Sequence, residues 1–222
     1  MRILYHLWMS PECRKVRVAL NEKRLDFRLN TENVLERRPE FLTQNPAGEI
    51  PVIVETDGTV ISGSSAITEF FDEVYPDPLL IGSKAIVRAE VRRLVHWFDF
   101  KFNREVTANL VTQKLTKRYL GQGGPEGPAV RAGHANIHYH LDYISYLTER
   151  RRWLAGDDFS LADISAAAHL SLVDYLGDVP WSEHLEAKDW YVRIKSRPSF
   201  QPILEDRIPG IPSQKQYANL DF

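Results

Sequence analysis

In PVIVETDGTVIS, residues 51 to 62, two β-branched runs flank Asp57-Gly58. That dipeptide is a strong hairpin signal, because glycine accepts the positive φ a tight turn requires. Any sheet this chain builds must therefore hold two antiparallel neighbours. Upstream, RILYHL is a short apolar run that stops at Ser10-Pro11, and LDFRLN alternates apolar with polar. Between them Val16, Ala19 and Leu20 recur at helical spacing with basic residues interleaved. A helix between two strands is a crossover unit, and crossovers set strands parallel. The sheet is expected to be mixed. VLERRPEFLTQNPAG reads as a helical or irregular connection, and SSAITEFFDEVYP as a helix stopping at Pro76. The order is β-α-β-α-β-β-α within residues 1–77.

Beyond that point the periodicity changes. PDPLLIGSK is punctuated by two prolines and reads as a linker. No strand is expected after it. Val87, Val91, Leu94, Val95, Phe98 and Phe102 form a helical stripe; GQGGPEGP breaks it; Ile137, Leu141, Ile144 and Leu147 mark another helix. FSLADISAAAHLSLVDYLG opens with a capping box, in which Ser160 caps, Asp163 reaches back and Phe159 staples onto Ile164. Gly177 is its stop. AKDWYVRIKSRPSFQPILED adds one or two helices. The second unit, residues 84–206, is all-helical, and 207–222 is a proline-punctuated tail.

Hydrophobic residues make up 43% of the chain, enough for a core without metal or disulfide staples. Lys+Arg is 28 against Asp+Glu 30, a net charge of -2 that argues against nucleic acid as the main ligand. The one cysteine, Cys13, forms no internal disulfide, which fits a reducing, cytoplasmic setting. No apolar run reaches the roughly 18 residues of a membrane helix. His134 and His138 share a helix face but no acid completes a metal motif, so no metal is expected. Trp97, Phe98, Phe100 and Phe102 are too many aromatics for one buried stripe.

Three segments, in order and at these separations, resemble the glutathione transferase superfamily. SPECRKVRVAL looks like the active-site turn and first helix of the serine- and cysteine-type classes. NPAGEIPVI is similar to the segment preceding the family's cis-proline, which would be Pro51. FSLADIS looks like the capping box of the helical domain. The resemblance implies a thioredoxin-like N-terminal domain followed by the helical one. It also implies a glutathione site. Ser10 would donate its hydroxyl to the thiolate, the Ile50 backbone ahead of cis-Pro51 would pair with the peptide, and Ser64 and Ser65 would offer donors to the γ-glutamyl carboxylate. Ser10 is equally an N-cap or turn residue. Cys13 is either a nucleophile, as in the cysteine-type classes, or a buried small apolar residue. Where the family carries an acid for the γ-glutamyl ammonium, this chain has Gly63 in SGSSAI.

RRPEFLTQNPAGEIPVI, RAEVRRLVHWFDFKF, YLGDVPW and YANLDF resemble one branch of the superfamily, the glutathione-transferase-like division proteins of alphaproteobacteria. That branch implies a homodimer binding FtsZ filaments, partly through the C-terminal tail, with weak or no glutathione chemistry. Tyr217, Leu220, Asp221 and Phe222 then offer a charge and anchors for the partner; alternatively Tyr217 and Phe222 pin the tail onto the helical unit. The competing expectation is a working glutathione S-transferase of the serine type.

Overall fold

The fold is described from a computed structural model over residues 1–220. Strands β1 (Arg2–His6), β2 (Phe27–Thr31), β3 (Val52–Val54) and β4 (Val60–Ser62) form one sheet in the order β2-β1-β3-β4. β1 runs parallel to β2, with Leu4 opposite Leu29, and antiparallel to β3, with Leu4 opposite Ile53. The β3–β4 hairpin closes where Thr59 N–H donates to the Asp57 carboxylate (2.8 Å) and Gly58 takes φ +90°. Helices α1 (Pro11–Glu22) and α3 (Ser64–Val74) cover the sheet. Val16 and Leu20 of α1 and Ile67 and Phe71 of α3 meet Leu4 and Ile53 in a small core. The short α2 (Pro39–Gln44) fills the connection before the hairpin.

On α1 the basic residues interleaved with the apolar ones, Arg14, Lys15 and Arg17, are themselves all buried. The helix lies between the sheet unit and the helical unit, so no side faces water. Buried charges must be paired, and these are. Arg17 makes a bidentate pair with Asp206 (2.8 and 2.9 Å), and Lys15 meets Asp99 at 2.7 Å.

The helical unit begins with α4 (Ala85–His96). It continues through a π-helical stretch, Trp97–Thr116, into α5 (Lys117–Tyr119). Then come α6 (Gly127–Thr148), α7 (Leu161–Leu176), α8 (Leu185–Lys195) and α9 (Gln201–Leu204). Among the described residues no named strand follows β4. α7 is buried on every side from Leu161 to Tyr175, so its polar residues, Asp163 and Asp174 among them, must find partners inside the fold. Its capping box forms as the sequence predicts: Ala162 N–H donates to Ser160 Oγ (3.3 Å) and Ser160 N–H to Asp163 Oδ2 (3.1 Å). Asp163 Oδ1 also accepts from Leu154 N–H and Trp190 Nε1, both at 2.9 Å. Phe159 packs edge-on against Trp153.

The linker is held rather than loose. The Asp72 carboxylate accepts from Leu80 N–H (2.7 Å) and Ile81 N–H (3.3 Å). Lys23 Nζ bridges Asp72 to the carbonyls of Tyr75 and Pro78. Leu161 N–H, opening α7, donates to Leu80 O at 2.8 Å.

Candidate functional site

Two adjoining cavities lie beside the start of α1. One, about 230 Å³, is lined by Glu12, Glu49, Ile50, Pro51, Gly63 and Ser64 among others. The other, about 290 Å³, runs between the Ser10 turn and the long helix, against Glu12, Val34, Thr107, Val111 and Tyr119. The structure thus brings Ile50, Pro51 and Ser64 together, and Ser10 next door. The Ile50-Pro51 bond is cis.

Ser10 is the N-cap of α1. Its Oγ accepts from Cys13 N–H (3.1 Å) and donates to Glu12 Oε2 (2.9 Å). The hydroxyl that would serve a thiolate therefore already serves a carboxylate. Cys13 is fully buried, and burial pushes its thiol up to about 12 despite the Ser10 hydroxyl. Only the thiolate is nucleophilic, so Cys13 sits in the core as a small apolar residue.

Gly63 caps the start of α3 at φ +88°, with open space where a Cβ would stand. That backbone conformation favours glycine over any other residue. Ser65 is exposed, does not line the cavity, and lies 3.3 Å from the buried Lys15 Nζ. Lys15 in turn holds Asp99, which also takes the Ser165 hydroxyl. Burial opposes ionisation of Asp99, yet His169 and Lys15 hold its carboxyl well below the usual range. Trp8 lines neither cavity and packs edge-on against His6.

Sequence reasoning missed two residues here. The acid absent at position 63 is not absent from the cavity, because Glu12 and Glu49 both line it. Glu12 is visible in SPECRK as an acid in the first helical turn, two residues after the hydroxyl it binds. Glu49 precedes Ile50, but nothing in one sequence marks which way it faces. Among the described residues, neither cavity is lined by an Arg, Lys or His.

For the tail, the second of the two alternatives holds at Tyr217: it pins the tail inward, fully buried, accepting from Arg14 Nη1 (3.0 Å) and donating to Ile203 O (3.1 Å), and is not an exposed anchor. Leu220 packs half-buried against the helical core. Asp221 and Phe222 lie outside the described residues. The histidines behave as structural groups. His134 meets Asp178, His138 meets His184, and His140 is buried against Glu105 and Trp97. Among the described residues no group of three His, Cys, Asp or Glu is arranged to hold a metal.

A thioredoxin-like sheet unit, a cis-proline at the cavity wall and a helical unit with a capping box define a class. The chain belongs to the glutathione S-transferase family. The family's N-terminal domain matches residues 4–79 and its C-terminal domain residues 135–198. Within the family, the chain is 47% identical to FtsZ-localized protein A of Caulobacter vibrioides, over 100% of this chain and 98% of the relative. The structure of FzlA from C. crescentus superposes with a TM-score of 0.96 at 47% identity, covering 100% of this chain and 99% of that one. A crystal structure described as a glutathione S-transferase from Rhodospirillum rubrum F11 superposes with a TM-score of 0.98 at 57% identity, each chain covered fully. No helix among the described residues is long and apolar enough to cross a membrane.

Proposed function

We propose that this protein is a homodimeric, cytoplasmic scaffold of bacterial cell division that binds FtsZ filaments and has weak or no glutathione chemistry. One observation carries the reading: the end-to-end likeness, at 47% identity, to a relative named for its localization with FtsZ. The site supports it. A thiolate accepting from Ser10 would lie beside the Glu12 carboxylate, and like charges at such range disfavour each other. Glutathione also brings two carboxylates, beside one ammonium, to cavities that among the described residues are lined by Glu12 and Glu49 and by no Arg, Lys or His. The dimer surface is the face of α4, its π-helical continuation and α6. There Phe100 is 63% exposed and Tyr139 56% exposed, with His96 stacked on Phe100 and Lys101 over Trp97 and Tyr139.

The test is co-sedimentation of the purified protein with GTP-polymerised FtsZ, alongside light scattering of the protein alone. Saturable pelleting and a mass twice 25.6 kDa are expected. A protein that stays in the supernatant at micromolar filament concentration refutes the reading. A second reading, a working transferase, is favoured by the cis Ile50-Pro51 bond and Ser64 at one cavity. Calorimetry with millimolar glutathione separates the two. Saturable heat, with conjugation of a test electrophile, supports the transferase.

A further inference from the structure

A third cavity, about 410 Å³, is larger than the two beside α1 and shares no lining residue with them. It opens between two segments: the linker with the start of α4, and the loop that leads into α7. We infer that it is a binding site for a short apolar peptide, two or three residues long, held by both of its free ends. Much of the lining is apolar. Leu80 and Val91 are buried, and Leu79, Val87 and Phe159 stand with them. The walls are fixed beforehand. Leu161 N–H donates to Leu80 O at 2.8 Å and joins the two segments. Gly82 (φ +82°) lets the linker press on Val87, since a Cβ there would stand 2.6 Å from Val87 Cγ1. In the loop, Trp153 and Gly156 exchange backbone hydrogen bonds (2.8 and 3.2 Å). Phe159 is held edge-on by Trp153, with the Arg197 guanidinium over its face. Apolar walls with a few polar groups are the usual form of a small-ligand site.

The polar groups decide the ligand. Ser83 and Lys84 line the cavity from one segment, Asp157 and Asp158 from the other. Among the described residues none of these four side chains has a hydrogen bond or ion pair, so the lysine and the two acids do not neutralise each other across the opening. Lys84 also precedes α4 with no side-chain cap, which leaves N–H groups of the first turn to an outside acceptor. A ligand that satisfies both segments carries a carboxylate at Lys84, an ammonium at the aspartates and apolar surface between. A sphere of 410 Å³ is about 9 Å across, and two or three residues at ~3.4 Å each span that distance. A protein chain end brings only one of the two charges. A free amino acid carries both on one carbon, too close together to span the opening.

The test is calorimetric titration of the full chain with leucyl-leucine and with N-acetyl-leucyl-leucine amide, which keeps the apolar body and lacks both charges. Leucyl-leucine is expected to bind saturably at millimolar concentration or below, and the blocked peptide at least about tenfold more weakly. Lys84→Met removes the cation, and the double variant Asp157→Asn/Asp158→Asn removes the anions, all at exposed positions. Each is expected to weaken leucyl-leucine about fivefold or more. No saturable heat from leucyl-leucine at several millimolar overturns the inference. Equal binding of the blocked peptide overturns recognition by the two ends. Unchanged affinity in both charge variants puts the peptide elsewhere and overturns the site. None of these readouts involves FtsZ or glutathione, so this inference stands or falls apart from the reading above.

Discussion

Replacing Glu12 with glutamine should let glutathione in. Ser10 Oγ sits 2.9 Å from Glu12 Oε2. A sulfur accepting from the same hydroxyl would lie about 3.3 Å from Oγ, and so on the order of 4–5 Å from the carboxylate. Two unit charges at about 4 Å repel by about 1 kcal/mol in water and about 4 kcal/mol at an effective dielectric of 20. Glu12 is half-buried, so about 2 kcal/mol is a reasonable middle value, or about thirtyfold in affinity for the thiolate form. Glu12→Gln keeps the shape and an acceptor for Ser10 while removing the charge. The assay is calorimetric titration of wild type and variant with glutathione at pH 7 and pH 9, where the thiolate fraction differs. The variant should bind more tightly, and the gap should widen at pH 9. The refuting result is weaker binding by the variant. It would mean that Glu12 holds the γ-glutamyl ammonium, taking the part left open at Gly63.

Other outcomes follow from burial. Cys13, its thiol pushed up to about 12 by burial, should resist a thiol reagent at pH 8 until the protein unfolds; fast labelling of the native form contradicts this. Asp163→Ala strips the acceptor from Leu154 N–H, Ser160 N–H and Trp190 Nε1. It should lower unfolding free energy by roughly 3 kcal/mol or more, and a loss under about 1 kcal/mol in urea denaturation would discredit the network. Burial lowers His6 and His140 to about 4, so the folded state refuses protons that the unfolded chain binds below its ordinary histidine value near 6.5. Each costs on the order of 3 kcal/mol of stability as pH falls through that window. Burial raises Asp174 to about 6, which acts in the opposite sense and offsets about one histidine. A net loss of roughly 3 kcal/mol between pH 7 and pH 4.5 is expected from denaturation curves; a flat profile refutes it.

The strands, the hairpin and the capping box were legible because each is a local pattern with a local cause. Asp57-Gly58 requires a turn wherever it occurs, and Ser160 with Asp163 needs only its own helix start. The layout of two units was legible for the same reason, since periodicity changes at the linker. What was hidden depends on partners distant in sequence. Arg14, Lys15 and Arg17 look solvated until Asp206, Asp99 and Tyr217 are brought to them. The PDPLLIGSK stretch looks loose until Asp72 and Lys23 close on it. Tyr217 shows the limit of reading a tail, because a lone aromatic fits inside and outside equally well until Arg14 and Tyr175 choose. At the site, Ser10, Ile50, Pro51 and Ser64 come to two adjoining cavities, as their local sequence segments suggested. Glu12 escaped notice because its meaning lies in the hydroxyl it has captured.

The double fastening of α1 has a mechanical corollary. Arg17 grips Asp206 just past α9, and Arg14 grips Tyr217. A tug at the chain end therefore travels straight into the first helix beneath the sheet, without crossing the connector between the units. A load applied to that segment would meet the two units as one stiff body.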